Sequence, residues 1–346
     1  FFKRRNQGIK RRKKMILVTG GSGFIGANFI LNWFSENEEA IVNIDKLTYS
    51  SNQDNLKHLK NSENYFFEKG SIEDLSLVTA LLEKYQPRAV INFAAESHVD
   101  RSISDSDDFI QTNILGTHTL LKASLKYFET LKGSEKDNFR YIQISTDEVY
   151  GSLKDKDPQS SENSPYFPNS PYSASKASGD HLARAWHETF GLPVITTNCT
   201  NNYGPFQHEE KLIPLMISYS LKGKKLPIYG DGSNVRDWLY VKDHCDALSL
   251  VLKKGRPGET YNIGGKNEIK NIEVVTQICN LLDDIFPKKS GGSYSDQISF
   301  VEDRLGHDYR YGLNISKIEN EIGWSPKENF HSGINKTVEW YLKKIK

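Results

Sequence analysis

Short apolar runs alternate with stretches whose apolar residues recur every three or four positions through the first two hundred residues. MILVT (15–19), AIVNI (40–44), YFFE (65–68), RAVINFAA (88–95), YIQIS (141–145) and LPVITTN (192–198) read as strands. Helical patterns fall between them near 24–34, 74–85, 107–127 and 172–189. This alternation predicts a parallel sheet covered on both faces, a Rossmann-like doubly wound α/β domain over residues 15–200. After about residue 200 the rhythm breaks. Loops rich in Gly, Pro, Asn and Asp fill 201–237, and helical patterns return near 243–253, 271–286 and 331–344. Residues 201–346 are expected to form mainly a smaller mixed α/β substrate lobe, partly interleaved with the sheet. KKSGGSYS (288–295) reads as a surface loop.

Composition narrows the class. With 37% hydrophobic and 26% charged residues the chain fits a soluble globular enzyme. No apolar run is long enough to span a bilayer. Cys199, Cys245 and Cys279 are far apart and lack metal-ligand spacing, so no metal is expected and a reduced, cytoplasmic setting is the simplest reading. The formal net charge of +1 hides an asymmetry. Residues 1–14 hold eight Lys/Arg and no acid, which leaves 37 basic against 44 acidic residues in the remainder. That body is not a nucleic-acid binder by bulk charge. The basic leader, which has no apolar core like that of a signal peptide, reads as a disordered upstream extension, with a working nucleic-acid or membrane-surface tail as the alternative.

VTGGSGFIG sets Gly20, Gly23 and Gly26 between a strand and a helix, with Phe24 and Ile25 completing the turn. Glycine lets the backbone approach a pyrophosphate, and the helix start faces its charge with unpaired N–H groups. Tight turns also need glycine, but the strand before and the helix after favour a dinucleotide. Asp45 ends the second strand, where a carboxylate accepts from both ribose hydroxyls and repels the extra phosphate of NADP. NAD is therefore the expected cofactor. Lys46 could soften that repulsion, and Asp45 could instead be a capping residue. Ala94 and Ala95, after the fourth strand, are small enough to pass close to a cofactor.

Tyr172 and Lys176 stand four apart behind the helix-starting Ser170–Pro171, so they share a helical face. An ammonium near a phenol favours phenolate, which makes Tyr172 a candidate base. Ser145–Thr146 end the preceding strand, and Asp147 and Glu148 follow at once. Ligands of open α/β sheets bind at that carboxyl edge. Two carboxyl groups there can divide acid and base work if their environments separate them, although an isolated Asp-Glu pair is more often a solvated turn.

Together these parts resemble the extended short-chain dehydrogenase/reductases, and Thr146-Asp147-Glu148 resembles the nucleotide-sugar 4,6-dehydratases among them. The likeness runs from Met15 to the C-terminus through AAESHVDRSI (94–103), STDEVYG (145–151), PYSASKA (171–177), TNCTNNYGP (197–205), KLIPLMI (211–217), YGDGSNVRDWLYVKDH (229–244), GETYNIGG (258–265) and DRLGHD (303–308). Four positions depart from the family pattern: Ser71 for an Asp, Leu305 for a Pro, and Thr200 and Gly179 for serines. The resemblance implies a homodimer, bound NAD with Ile72 near the adenine, and a nucleotide-sugar substrate, dTDP-glucose foremost. It implies Tyr172 as base for the C4 hydroxyl, Thr146 as its hydrogen-bond partner, Lys176 in the same proton network, Glu148 as C5 base and Asp147 as acid at C6. Ser97, His98, Asn201, Lys211, Leu212 and Asn271 match its substrate positions. Arg236, whose guanidinium matches phosphate oxygens in a fork, is a candidate diphosphate clamp, with Arg304 and His307 adding contacts.

UDP-glucose is an alternative substrate, because a pocket gains only about 1–3 kcal/mol from the one methyl that separates the bases. A nucleotide-sugar 4-epimerase shares the fold, NAD and the Tyr–Lys pair. A non-catalytic NAD-binding protein is a third reading, against which the intact Tyr172, Lys176, Asp147 and Glu148 argue.

Overall fold

The computed structural model describes residues 14–345, so the reading of the basic leader lies, apart from Lys14, outside the described residues. The apolar runs form strands because a parallel sheet buries both of its faces. These are β1 (Met15–Thr19), β2 (Ala40–Asp45), β3 (Tyr65–Lys69), β4 (Ala89–Asn92), β5 (Arg140–Thr146) and β6 (Val194–Cys199). The remaining strands are β7 (Asn201–Tyr203), β8 (Leu226–Tyr229), β9 (Val235–Tyr240), β10 (Thr260–Ile263), β11 (Glu268–Lys270) and β12 (Ile298–Val301). The main sheet is parallel and seven-stranded, in the order β10-β6-β5-β4-β1-β2-β3. Its order reverses between β1 and β4, and such a switch point opens a crevice at the carboxyl ends of the strands.

Helices cover the sheet. α1 (Phe24–Glu36), α2 (Leu75–Tyr85), α3 (Val99–Ser104) and α4 (Asp107–Phe109) come first. A π-helical turn at Ile110–Gly116 then leads into α5 (Thr117–Thr130), followed by α6 (Ser134–Asn138) and α7 (Pro171–Phe190). The later helices are α8 (Leu212–Leu221), α9 (Val241–Lys254), α10 (Asn271–Ile285), α11 (Ser316–Ile322) and α12 (Phe330–Ile345). One apolar cluster joins the sheet to α1, α9 and α11; a second packs α2, α5 and α7 on the opposite face. A third, from α8, α10 and α12 with Tyr203, Trp238 and Tyr240, is the core of a smaller lobe. That lobe carries a three-stranded sheet (β11-β9-β7) and a two-stranded one (β12-β8).

Two expected elements take other forms. The helical stretch expected over 107–127 is present but widens into a π turn, where the side chain of Asn113 bonds the backbone of Glu96 and the hydroxyl of Ser175. The fourth strand stops at Asn92, and Phe93–Ala95 turn out of the sheet toward the glycine loop.

Candidate active site

The crevice holds about 1490 Å³ of space, part of it open to solvent, and its wall begins at the glycine turn. Gly20 has φ +65°, and a Cβ added there would lie 2.7 Å from the Ala94 nitrogen. A Cβ at Gly26 would lie 2.4 Å from the Gly20 carbonyl oxygen. Both positions therefore demand glycine. Gly23 is the N-cap of α1, and no side chain caps the helix, so its first amides are free to meet an anion. Asp45 is buried at the end of β2. Its carboxylate accepts from Ser22 N (2.9 Å), Leu47 N (2.8 Å) and Ser51 Oγ (3.0 Å), which fixes it beside the turn. Lys46 donates to Thr112 Oγ1 at 2.8 Å and stands 3.4 and 3.9 Å from Glu73 and Glu96. Its charge is thus already matched by two carboxylates, which weakens the case for Lys46 as the partner of an extra ribose phosphate. Ile72, Ala94 and Ala95 line the same wall, and Ala94 N donates to Thr19 Oγ1. At the departing position 71, Ser71 accepts from Glu73 N. These donors and cradles fit a dinucleotide.

The opposite wall is built at the end of β5. Thr146 Oγ1 donates to Asp147 Oδ1 (3.2 Å) and accepts from Glu148 N (3.3 Å). Asp147 is 3% exposed, and its Oδ2 has no hydrogen-bond partner. Burial, then the charges of Glu148 and Asp237, push its carboxyl well above the usual aspartate range. Burial also raises Glu148, but Arg236, Lys211 and Arg304 oppose the shift. The paired carboxyls are therefore not a freely solvated turn: Asp147 is buried, Glu148 is half-buried, and their electrostatic surroundings differ.

Tyr172 and Lys176 reach this wall from α7, which starts at a Ser170–Ser173 capping box with Pro171 in its first turn. The helix is held by Ser102 Oγ, which accepts from Tyr172 N, and by Asn113 on Ser175. Burial, Glu148 and Cys199 push the Tyr172 phenol up, against a hydrogen bond with Thr146. The expected lowering by Lys176 is not among the main influences on the phenol. The Lys176 ammonium donates to the Ile144 carbonyl at 2.7 Å, and burial pulls its own pKa down.

The expected substrate residues divide in two. Ser97, Asn201 and Lys211 line the crevice; Lys211 Nζ donates to the Ser97 carbonyl at 2.7 Å, and Asn201 Oδ1 is buried without a partner. His98, Leu212, Arg236, Asn271, Arg304 and His307 are not in its lining. His98 caps α3, and Leu212 starts α8 behind Lys211. Arg236 is buried, donates to the Val235, Asp308 and Tyr309 carbonyls, and stacks 4.5 Å from the Tyr311 ring. Asn271 opens α10 with an unpartnered buried Oδ1. Arg304 pairs with Asp100 at 3.3 Å, and His307 with Asp303 at 2.7 Å. Among the other departures, Thr200 has a buried, unpartnered hydroxyl. Gly179 packs closely on the π turn, where a Cβ would lie 3.0 Å from the Asn113 carbonyl oxygen, and Leu305 is 77% exposed.

Sequence reasoning missed Glu96, Gln207 and Glu210 in the lining. Glu210 stands 3.4 Å from Arg101 and 3.8 Å from both His98 and His208. Glu96 lies within the AAESHVDRSI segment but has no spacing signal of its own, and no motif marks Gln207 or Glu210; loops distant in the chain bring them together. Among the described residues no group of three or more His, Cys, Asp or Glu could hold a metal ion, and no helix is long and apolar enough to cross a membrane.

Comparison with known proteins agrees with this geometry. The family model described as GDP-mannose 4,6 dehydratase matches residues 17–337. A dTDP-glucose 4,6-dehydratase of Haemophilus influenzae is 56% identical over 329 residues, covering 94% of this chain and 97% of the relative. The crystal structure of a dTDP-glucose 4,6-dehydratase from Bacillus anthracis in complex with NAD is 48% identical, with a TM-score of 0.83 and coverage of 95% and 97% of the two chains. That of a Streptomyces venezuelae dTDP-glucose 4,6-dehydratase with NAD and TDP bound is 42% identical, with a TM-score of 0.86 and the same coverage.

Proposed function

This chain belongs to the GDP-mannose 4,6 dehydratase family, and we propose that within it the chain is a dTDP-glucose 4,6-dehydratase, converting dTDP-glucose to dTDP-4-keto-6-deoxy-glucose and water. The observation that carries the reading is the pair of buried Asp147 and half-buried Glu148 lining one crevice with Thr146 and Tyr172. Elimination across C5–C6 needs both an acid and a base, whereas inversion at C4 alone needs neither carboxyl.

The glycine turn, Asp45, Ile72, Ala94 and Ala95 would hold NAD, which supplies a hydride acceptor for C4 and a hydride donor for C6. The chain's own residues do the proton work. Tyr172 takes the C4 hydroxyl proton, and Thr146 hydrogen-bonds the C4 oxygen. The resulting C4 ketone makes the C5 proton acidic, and Glu148 removes it. Asp147, whose carboxyl burial raises well above the usual aspartate range, gives its proton to the departing C6 hydroxyl, and water leaves. Glu148 then returns a proton to C5. Each acid–base step supplies on the order of a hundredfold or more. Lys211, Arg236 and Arg304 supply positive charge for the diphosphate, and the same charges oppose the burial that raises the Glu148 pKa.

A homodimer through α5 and α7 is part of this proposal. Exposed Ile110, Leu115 and Phe190 on the π turn and on α7 support it, and sedimentation of the pure protein tests it. Three buried free cysteines suit a reducing, cytoplasmic setting. Incubation with dTDP-glucose and UDP-glucose in parallel tests the activity. The expected result is loss of one water from dTDP-glucose and a product that absorbs in alkali. Simple inversion at C4, or faster turnover of UDP-glucose, would overturn it.

A further inference from the structure

We propose that Asp180 is a positioning residue for this chemistry: its carboxylate keeps the Lys176 side chain an ammonium, and through Lys176 it sets how readily Tyr172 gives up its proton. The kinetic part of this inference rests on the reaction proposed above; the charge relation between Asp180 and Lys176 does not.

Tyr172, Lys176 and Asp180 are spaced by four along α7 and so share one face. Lys176 and Asp180 are 6% and 4% exposed. Consecutive residues of β5 hold them: Lys176 Nζ donates to the Ile144 carbonyl, and Ser145 Oγ donates to Asp180 Oδ2 at 2.5 Å. Tyr166 OH also donates to Oδ2, at 3.3 Å. Asn198 fixes Tyr166 in turn, donating to both its hydroxyl and that of Tyr150. The carboxylate is therefore fixed in place, and its Oδ1 is buried with no partner.

A buried ammonium with one carbonyl for company tends to lose its proton. Burial pulls Lys176 down, and Asp180 is the foremost group that opposes it, followed by Cys199 from β6. Facing Tyr172 are Glu148, Asp147 and Cys199, all of which resist its ionisation, and the Thr146 hydroxyl, which favours it. In the proposal, the Lys176 ammonium, one helical turn away along α7, supplies the positive charge that offsets those acids. Asp180 itself faces Lys176, Ser145 and Tyr166, and burial raises it to about 6, so it is ionised at neutral pH. The competing account is structural: Asp180 merely anchors Ser145 and Tyr166.

Two measurements on the NAD-loaded protein separate these accounts. In single turnovers with dTDP-glucose, the pH dependence of reduced-cofactor absorbance gives the acid limb of C4 oxidation. Asp180→Asn should move that limb up by about one pH unit, roughly a tenfold loss of rate at a pH on the limb. Asp180→Glu should keep it in place. Tyr166→Phe, which deletes one hydrogen bond to Asp180 but keeps its carboxylate, should move it clearly less than Asp180→Asn does. An unmoved limb in Asp180→Asn, or an equal shift in Tyr166→Phe, would overturn the proposal. The second measurement needs no substrate. With lysines labelled at Cε and the Lys176 signal assigned by its loss in Lys176→Arg, the wild-type signal should step near pH 6 as Asp180 ionises. It should also titrate at lower pH in Asp180→Asn. A Lys176 signal blind to Asp180 would sink the inference even if the substrate were another sugar nucleotide, and the wild-type titration stands even if a variant fails to fold.

Discussion

At the scale of single residues, the acid pair ties chemistry to stability. Asp147 is buried with one oxygen unpartnered, so its ionised form is disfavoured in the folded protein. The sign follows from its raised folded-state pKa: the native state holds this proton where the unfolded chain has released it. Stability is therefore lost as pH rises from the ordinary aspartate value, about 3.9, toward the raised one. Asp147→Asn is expected to raise the Tm by a few degrees at neutral pH, with the gain vanishing near pH 4, as scanning calorimetry across pH would show. The same variant should slow C6–O cleavage on the order of a hundredfold. Glu148→Gln should still reduce bound cofactor on substrate addition but should lose solvent deuterium incorporation at C5. Wild-type C5 exchange in that variant would remove Glu148 from the mechanism. These residues were legible in the sequence because Thr146, Asp147 and Glu148 are consecutive, and Tyr172 and Lys176 are one helical turn apart. Glu210 and Asp180 were not, because their neighbours are remote in the chain: Glu210 meets Arg101 across more than a hundred residues, and Asp180 meets Ser145 across thirty-five.

Among the elements, the β1–α1 turn carries the tightest constraint. Gly20→Ala would place a side chain at φ +65°, which costs about 1–2 kcal/mol, and would force it against the backbone of Phe93 and Ala94. Overpacking of that kind adds roughly 1–3 kcal/mol. The variant should unfold at lower urea and bind NAD at least about tenfold more weakly, measured by cofactor retained through gel filtration. Unchanged retention would mean that the turn does not face the dinucleotide. Elements with a clear period were legible: β1, β2 and α7 fall within two residues of their expected bounds. α8 was not anticipated, because LIPLMISYSL is apolar on most sides and has Pro214 in its first turn, so no face stands out. The π turn was invisible for another reason. It goes with the side chain of Asn113, whose partners, Glu96 and Ser175, are tertiary.

For the whole molecule, the division expected at residue 200 does not coincide with a break in the core. β10 completes the main sheet from residues 260–263, beside β6. α9, which begins at Val241, packs on α1, and Ile315, Ile318, Ile322 and Trp324 belong to the same apolar cluster as Ile16 and Ile195. The chain leaves the sheet for the smaller lobe and returns more than once, so the residues that hold the substrate wall are threaded through the cofactor half. Partial interleaving of residues 201–346 with the sheet was expected, but the strand that returns was not placed, because Thr260–Ile263 is a four-residue strand among turn residues. The threading has a direct consequence for truncation. A chain ending at Thr200 would expose the edge of β6 and the face of α1 that α9 covers, together with buried Trp33 and Ile195. An exposed edge and face of that kind invite aggregation rather than a stable half-molecule. Residues 15–200 expressed alone are therefore expected to lack a cooperative urea transition and to retain no NAD, whereas the full chain should show both. A soluble 15–200 fragment that unfolds cooperatively and keeps the cofactor would show that the first six strands form a self-sufficient unit, and that β10 and α9 are additions to its edge.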